Sequence, residues 1–227
     1  MTIAFVGVSG VGKSTFLQTA MVATPFMHLE ASKLIKEELA LVEQRVQTSE
    51  ELRTGAVLEN QRLLVRAFHR CTAGYEGLVV LDGHTVVDAG LGLQMIPASV
   101  FAEMNMQSIL FLQDDPEEIC ARRHGDTARV RPKRSPQEIE HYQQEAMLAA
   151  ARIALELEIP LQVVTHGSAK VAFKVLRACD QNMICTFREG EASNAKSEGT
   201  LFQTAWGIRT SFCRPAQSAA FATIFSL

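Results

Sequence analysis

No apolar run in this 227-residue chain approaches the ~18 residues needed to span a bilayer, so a membrane-crossing helix is not expected. The five cysteines, at 71, 120, 179, 185 and 213, are scattered and form no C-x-x-C pair. Neither a zinc site nor a disulfide framework follows from that spacing. No basic residue precedes the apolar stretch at the amino end, and that stretch reads as a strand, so a signal peptide is not expected. Charge of one sign is lacking too: a formal net charge of −3 gives no global attraction to nucleic acid or anionic lipid. These absences point to a soluble protein of a reducing compartment, the cytoplasm.

What is present is the balance of a chain that folds around a core, with 47% apolar and 21% charged residues. β-Branched apolar pieces recur along it: TIAFVGV (2–8), LVVLDG (78–83), SILFLQ (108–113), LQVVTH (161–166) and, more weakly, FMHLE (26–30). Helical patterns separate them. That alternation predicts an α/β fold with a parallel sheet covered on both faces. One helix is expected over about 14–24. A second starts at Ser49-Glu50-Glu51-Leu52, with apolar residues at 57, 64, 67, 68 and 71. Asp115-Pro116-Glu117 starts a shorter one. Ser135-Pro136-Gln137-Glu138 combines an N-cap, a first-turn proline and a capping-box glutamate, ahead of a stripe from Ile139 through Tyr142, Ala146, Ala149 and Ile153 to Leu157.

Composition changes near residue 180, which divides a domain over 1–180 from a linker and extension over 181–227. REGEASNAKSEGT (188–200) reads as linker. Residues 201–227 hold the single tryptophan and four phenylalanines without a clean period. A small docked element, a tail that binds a protein partner and a poorly ordered extension all fit that pattern.

The chemistry begins at once. Gly7 to Ser14 reads G-x-x-x-x-G-K-S, between a strand and a helix, which is the phosphate-binding P-loop pattern. Gly7, Gly10 and Gly12 let the backbone wrap with its amides inward, and Val11 and Thr15 belong to the same stretch. Lys13 supplies a cation for the outer phosphates and Ser14 a hydroxyl for Mg²⁺, at the positive end of the following helix. A carboxylate near the ion is also needed, and Asp82, ending LVVLD, is the candidate. An Asp-Gly turn is the alternative there. No N-K-x-D segment accompanies the loop, so guanine recognition is not signalled, and the chain is short for a ring-forming ATPase.

RRHGDTARVRPKRS brings Arg122, Arg123, Arg129, Arg131, Lys133 and Arg134 into thirteen residues. Arginine suits phosphate because its planar fork donates two bonds at once. A lid closing over transferring phosphates, a solvated basic loop and a nucleic-acid contact are the available readings. The third is the weakest, because no aromatic residues interleave the cations.

Together GVSGVGKST, VLDGHTVV and RRHGDTARVR make the chain resemble the nucleoside monophosphate kinases, specifically the archaeal type of adenylate kinase. The resemblance covers about 1–180. It implies a P-loop NTPase three-layer sandwich with a five-stranded parallel sheet, a helical acceptor-binding region over about 31–72 and a short arginine-rich lid over about 123–134. It implies ATP and Mg²⁺ as cofactors, with Asp82 supporting the metal through water, and Arg123, Arg129 and Arg131 as lid arginines. Arg53 matches an arginine that holds the acceptor phosphate. His84 either contacts the acceptor or orients Asp82, unless it is simply a satisfied strand-end histidine. Gln94 either reads a base edge or caps a turn. The family also carries an arginine about two turns into the helix after the lid. Here that segment is QQEAMLAAAR, which leaves Arg134 or Arg152 as replacements.

Three functions follow. The first is phosphoryl transfer from ATP to a nucleoside monophosphate, AMP foremost. The second transfers to a metabolite hydroxyl, with Asp82 or Asp88 as base. The third is an ATP-gated binding protein with weak ATPase activity, presenting its 201–227 tail to a partner.

Overall fold

The structure is a computed structural model, described here for residues 1–43, 57–88, 92–126 and 132–165. Five strands, β1 (Thr2–Val6), β2 (Met27–Glu30), β3 (Val79–Gly83), β6 (Ser108–Gln113) and β7 (Leu161–Thr165), form one sheet in the order β2-β3-β1-β6-β7. Every pairing in it is parallel. The five expected strands are these five. Buried residues run unbroken through Ile3–Val6 and Ser108–Leu112, as strands covered on both faces require.

The helices are α1 (Lys13–Ala23), α2 (Ala31–Glu43), α3 (Val57–Thr72), α4 (Ala98–Glu103), α5 (Pro116–Gly125) and α6 (Pro136–Glu156). Phe5 of β1 stacks on Phe16 of α1 with ring centroids 5.1 Å apart, which fixes the helix above the strand that precedes it. α2 and α3 pack together around a buried carboxylate, Glu38, which accepts from Arg66 at 3.2 Å and Arg70 at 3.0 Å. The amino-terminal part of the helix expected from Ser49 lies outside the described residues, as do the 127–131 portion of the lid and the whole 181–227 extension.

α6 starts with the expected capping box. Ser135 Oγ accepts from the Glu138 amide, and the Glu138 carboxylate accepts from the Ser135 amide at 2.7 Å. Its apolar stripe is buried from Ile139 to Ile153, while Leu157 sits half-buried at the C-cap. Two side-chain bonds pin the helix beneath the end of β3: Thr85 Oγ1 donates to the Ala146 carbonyl at 2.7 Å, and Tyr142 Oη to the Val86 carbonyl at 3.1 Å. A two-stranded antiparallel hairpin, β4 (Val86–Asp88) with β5 (Leu93–Met95), is an addition that the sequence did not announce. No helix among the described residues is long and apolar enough to cross a membrane.

Candidate active site

The sheet order places β1 between β3 and β6, where the chain's crossovers diverge to opposite sides. In open parallel sheets, the crevice beyond the strand ends at such a point is where ligands bind. Residues 7–12 cross it as a loop and pass directly into α1 at Lys13. A cleft of about 340 Å³ opens there. The P-loop residues Ser9, Gly10, Gly12, Lys13, Ser14 and Thr15 form one wall. Glu30, Ala31 and Ser32 come from the β2–α2 junction, Asp82 and His84 from the end of β3, and Arg122 and Asp126 from α5 and its C-cap.

Two glycines in the loop are sterically required. A Cβ on Gly7 would lie 2.6 Å from the Leu112 carbonyl oxygen of β6. Gly10 holds φ +86°, and a Cβ there would meet Arg123 Cγ at 2.8 Å. Arg123 thus lies directly on the loop. Its Nε donates to the Ser9 carbonyl at 2.8 Å, and its guanidinium carbon sits 5.9 Å from the centre of the Tyr142 ring. The neighbouring Arg122 Nε donates to the Gly10 carbonyl at 3.2 Å, while its Nη2 pairs with Asp114. The last turn of α5 is therefore clamped to the P-loop by both arginines.

Lys13 is buried and donates to the Gly7 carbonyl at 3.1 Å, with Asp82 Oδ1 3.7 Å away. His28 Nε2 approaches the other oxygen, Oδ2, at 3.8 Å. Burial pushes the Asp82 carboxyl up. The Lys13 ammonium, together with His28 and His84, outweighs that and holds it below the usual carboxylate range. Asp82 is ionised at neutral pH. His84 behaves oppositely: burial and Lys13 push its imidazolium down to about 3. A neutral ring can meet the Gly7 carbonyl, 2.7 Å from Nδ1, only by donating from Nδ1. That leaves Nε2 as an acceptor.

Mg²⁺ keeps waters and substrate phosphates in its shell, so one or two protein oxygens suffice to hold it. The Ser14 hydroxyl and ionised Asp82 carboxylate, both on the cleft, are hard oxygen donors of the right kind. The residues fit the ion.

Of the residues expected at the site, the structure brings together Gly10, Gly12, Lys13, Ser14, Thr15, Asp82 and His84 around the cleft. Gly7 and Arg123 hold them from behind, and Val11 is buried beneath the loop. Gln94 is not brought there: it is exposed on β5, outside the cleft lining. Arg53, Arg129 and Arg131 lie outside the described residues. Neither replacement arginine on the far side of the lid lines the cleft. Arg134 forks onto buried Asp88 at 3.1 Å and onto Glu138 at 3.2 Å, and Arg152 meets Met95 Sδ at 3.8 Å. Asp88, held in that pair, does not line the cleft either. Among the cleft residues, Glu30, Ala31 and Ser32 belong to none of the motifs, whereas Arg122 and Asp126 lie within the arginine-rich segment but are not singled out there as site residues.

The family model described as the AAA domain matches residues 6–140, more than half of the chain. An adenylate kinase from Pyrobaculum aerophilum is 28% identical over 145 residues, covering 63% of this chain and 74% of that protein. One from Thermoplasma acidophilum is 26% identical over 168 residues, covering 72% and 88%. A solved shikimate kinase from Bacteroides thetaiotaomicron superposes with a TM-score of 0.51 at 14% identity, covering 79% of this chain and 97% of that one; this likeness is one of fold. ATP with Mg²⁺ is the donor that adenylate kinase-like P-loop enzymes use, and the donor set above accommodates both. Loop, carboxylate, clamped arginines and sheet order agree with the match along the sequence: the chain belongs to the family described as the AAA domain, and within it is a P-loop kinase, an ATP-dependent phosphotransferase.

Proposed function

We propose that the protein transfers the γ-phosphoryl group of ATP to a nucleoside monophosphate, with AMP the first candidate, and that it does so in the cytoplasm. The observation that carries this reading is the meeting of Lys13 and His84 at the Gly7 carbonyl, with Asp82 3.7 Å from Lys13 on the same cleft and two arginines clamped behind the loop. The likeness to two archaeal adenylate kinases supports the choice of acceptor.

Phosphoryl transfer to an ionised phosphate oxygen asks little covalent work of a protein; catalysis is positioning and charge stabilisation. Lys13 is held between Gly7 and Asp82, and turning its ammonium to the β- and γ-phosphates exchanges those partners for stronger anions. His84, neutral and donating to Gly7, keeps the loop carbonyl out of the phosphate path without adding charge. Ser14 and Asp82 would hold Mg²⁺, the latter through water, and the ion when bound neutralises the phosphate oxygens that carry developing charge. Arg122 and Arg123 anchor the lid stem. Arg129 and Arg131 close over the transferring group, and Arg53 holds the acceptor phosphate.

The reaction runs in both directions, which gives a clean test. ATP formation is followed from ADP mixed in turn with ADP, CDP, GDP, UDP or dTDP in the presence of Mg²⁺. Formation from ADP alone is expected and names AMP as the acceptor, whereas formation only once another diphosphate is added names the monophosphate of that base. ATP formation with none of them would overturn a nucleotide acceptor.

A further inference from the structure

We propose that Glu30 is an acceptor-side general base, and that the same cleft also phosphorylates the hydroxyl of a small neutral polyol, a sugar or nucleoside. The inference rests on ATP being the donor but not on AMP being the acceptor.

Glu30 is the last residue of β2, and α2 begins at the next residue with no loop between. Its backbone is therefore fixed on both sides. In the parallel register it faces Asp82 across to β3, and both line the cleft. Their surroundings differ. Asp82 lies between Lys13 and His28, whereas the Glu30 carboxylate has no hydrogen bond or ion pair among the described residues. Ser32, one residue into α2, lines the same wall, and its hydroxyl makes no side-chain hydrogen bond among the described residues.

An uncompensated carboxylate suits one acceptor class and disfavours another. An acceptor phosphate is already ionised, needs no base and is repelled by a neighbouring carboxylate. A hydroxyl needs its proton removed as it attacks, and a carboxylate facing the cleft can take it. In the balanced step the acceptor O–H gives its proton to a Glu30 carboxylate oxygen, and the acceptor oxygen forms a bond to the γ-phosphorus. The bond from that phosphorus to the β–γ bridging oxygen breaks, ADP departs, and Glu30 returns its proton to solvent.

The test uses the full chain, with ATP and Mg²⁺, and follows ADP formation with adenosine, cytidine, D-ribose, D-glucose and glycerol, and separately with AMP. Wild type is expected to turn over with at least one polyol. Glu30→Gln, which keeps size and hydrogen bonding, is expected to lower that kcat about 100-fold while ATP affinity by calorimetry stays within a factor of two. The same variant is expected to lower KM for AMP, because the repulsion is gone. Turnover with polyols unchanged in Glu30→Gln, or no polyol turnover by wild type, would overturn the proposal. So would a raised Mg²⁺ requirement with acceptor parameters untouched, since that would put Glu30 in the metal shell. Failure with AMP alone bears on the nucleotide reading and leaves the polyol arms to decide this one.

Discussion

Lys13 rests against two groups that a phosphate would replace, the Gly7 carbonyl and Asp82. His84 shares that carbonyl, so the residues at the reacting end are coupled through one oxygen. The coupling has a pH signature. His84 titrates at about 3 when folded and at its ordinary 6.5 when unfolded, so between those values the unfolded chain binds more protons. Stability from this group is complete above about 6.5 and is lost as pH falls toward 3. Asp82 acts further down: its folded pKa lies below the model-peptide value of 3.8, so its contribution is lost only as pH falls beneath that. Urea midpoints at pH 7, 5.5 and 4.5 should decline in wild type and decline less in His84→Gln, whose amide can still donate to Gly7. Equal slopes would mean that His84 is not held neutral. At this scale the P-loop, Asp82 and His84 were legible because their chemistry is packed into short contiguous motifs. Glu30 and Ser32 were not, since a lone carboxylate at a strand-to-helix junction has no pattern until the sheet sets it opposite Asp82.

The last turn of α5 and the first turn of α6 bracket the segment expected to form a lid, and each is fixed differently. The α5 end is docked on the P-loop through Arg122 and Arg123, with Gly10 leaving room for the Arg123 stem. Gly10→Ala should push Arg123 off the Ser9 carbonyl and strain a φ of +86°. We expect ATP affinity by calorimetry to fall at least as much as in Arg123→Ala. Normal ATP binding in both variants would show that the docking is dispensable. The α6 end is tied by Arg134 to Asp88, a buried carboxylate at the end of β4. Arg134→Met should lower unfolding stability by about 2 kcal/mol by stripping charge-assisted bonds from Asp88. Asp88→Asn in the same chain should recover part of that loss, both read from urea unfolding. The five parallel strands and the capped α6 could be read beforehand because their apolar runs and cap residues are local. The β4–β5 hairpin could not: strands of three residues carry too little alternation to signal themselves.

At the scale of the molecule, the sheet order decides the function. It places β1, β3 and the end of β2 so that the P-loop, Asp82 and Glu30 face one cleft, with Arg122 and Asp126 at its side. The strands could be located from sequence, and the family resemblance supplied the architecture. The wall that Glu30, Ala31 and Ser32 contribute is harder to read, because it depends on how the β2–α2 junction meets the cleft rather than on any motif. On the proposed function, the P-loop lysine drives phosphoryl transfer from ATP to a monophosphate. The most direct measurement is ADP formation from ATP and Mg²⁺ with AMP, CMP, GMP, UMP or dTMP, in wild type and Lys13→Ala. Fast turnover with one monophosphate is expected, with a loss of about 100-fold or more in Lys13→Ala, the scale expected when one preorganised charge is removed. Tight ATP binding by wild type with no monophosphate-stimulated turnover, or turnover that Lys13→Ala leaves intact, would contradict it.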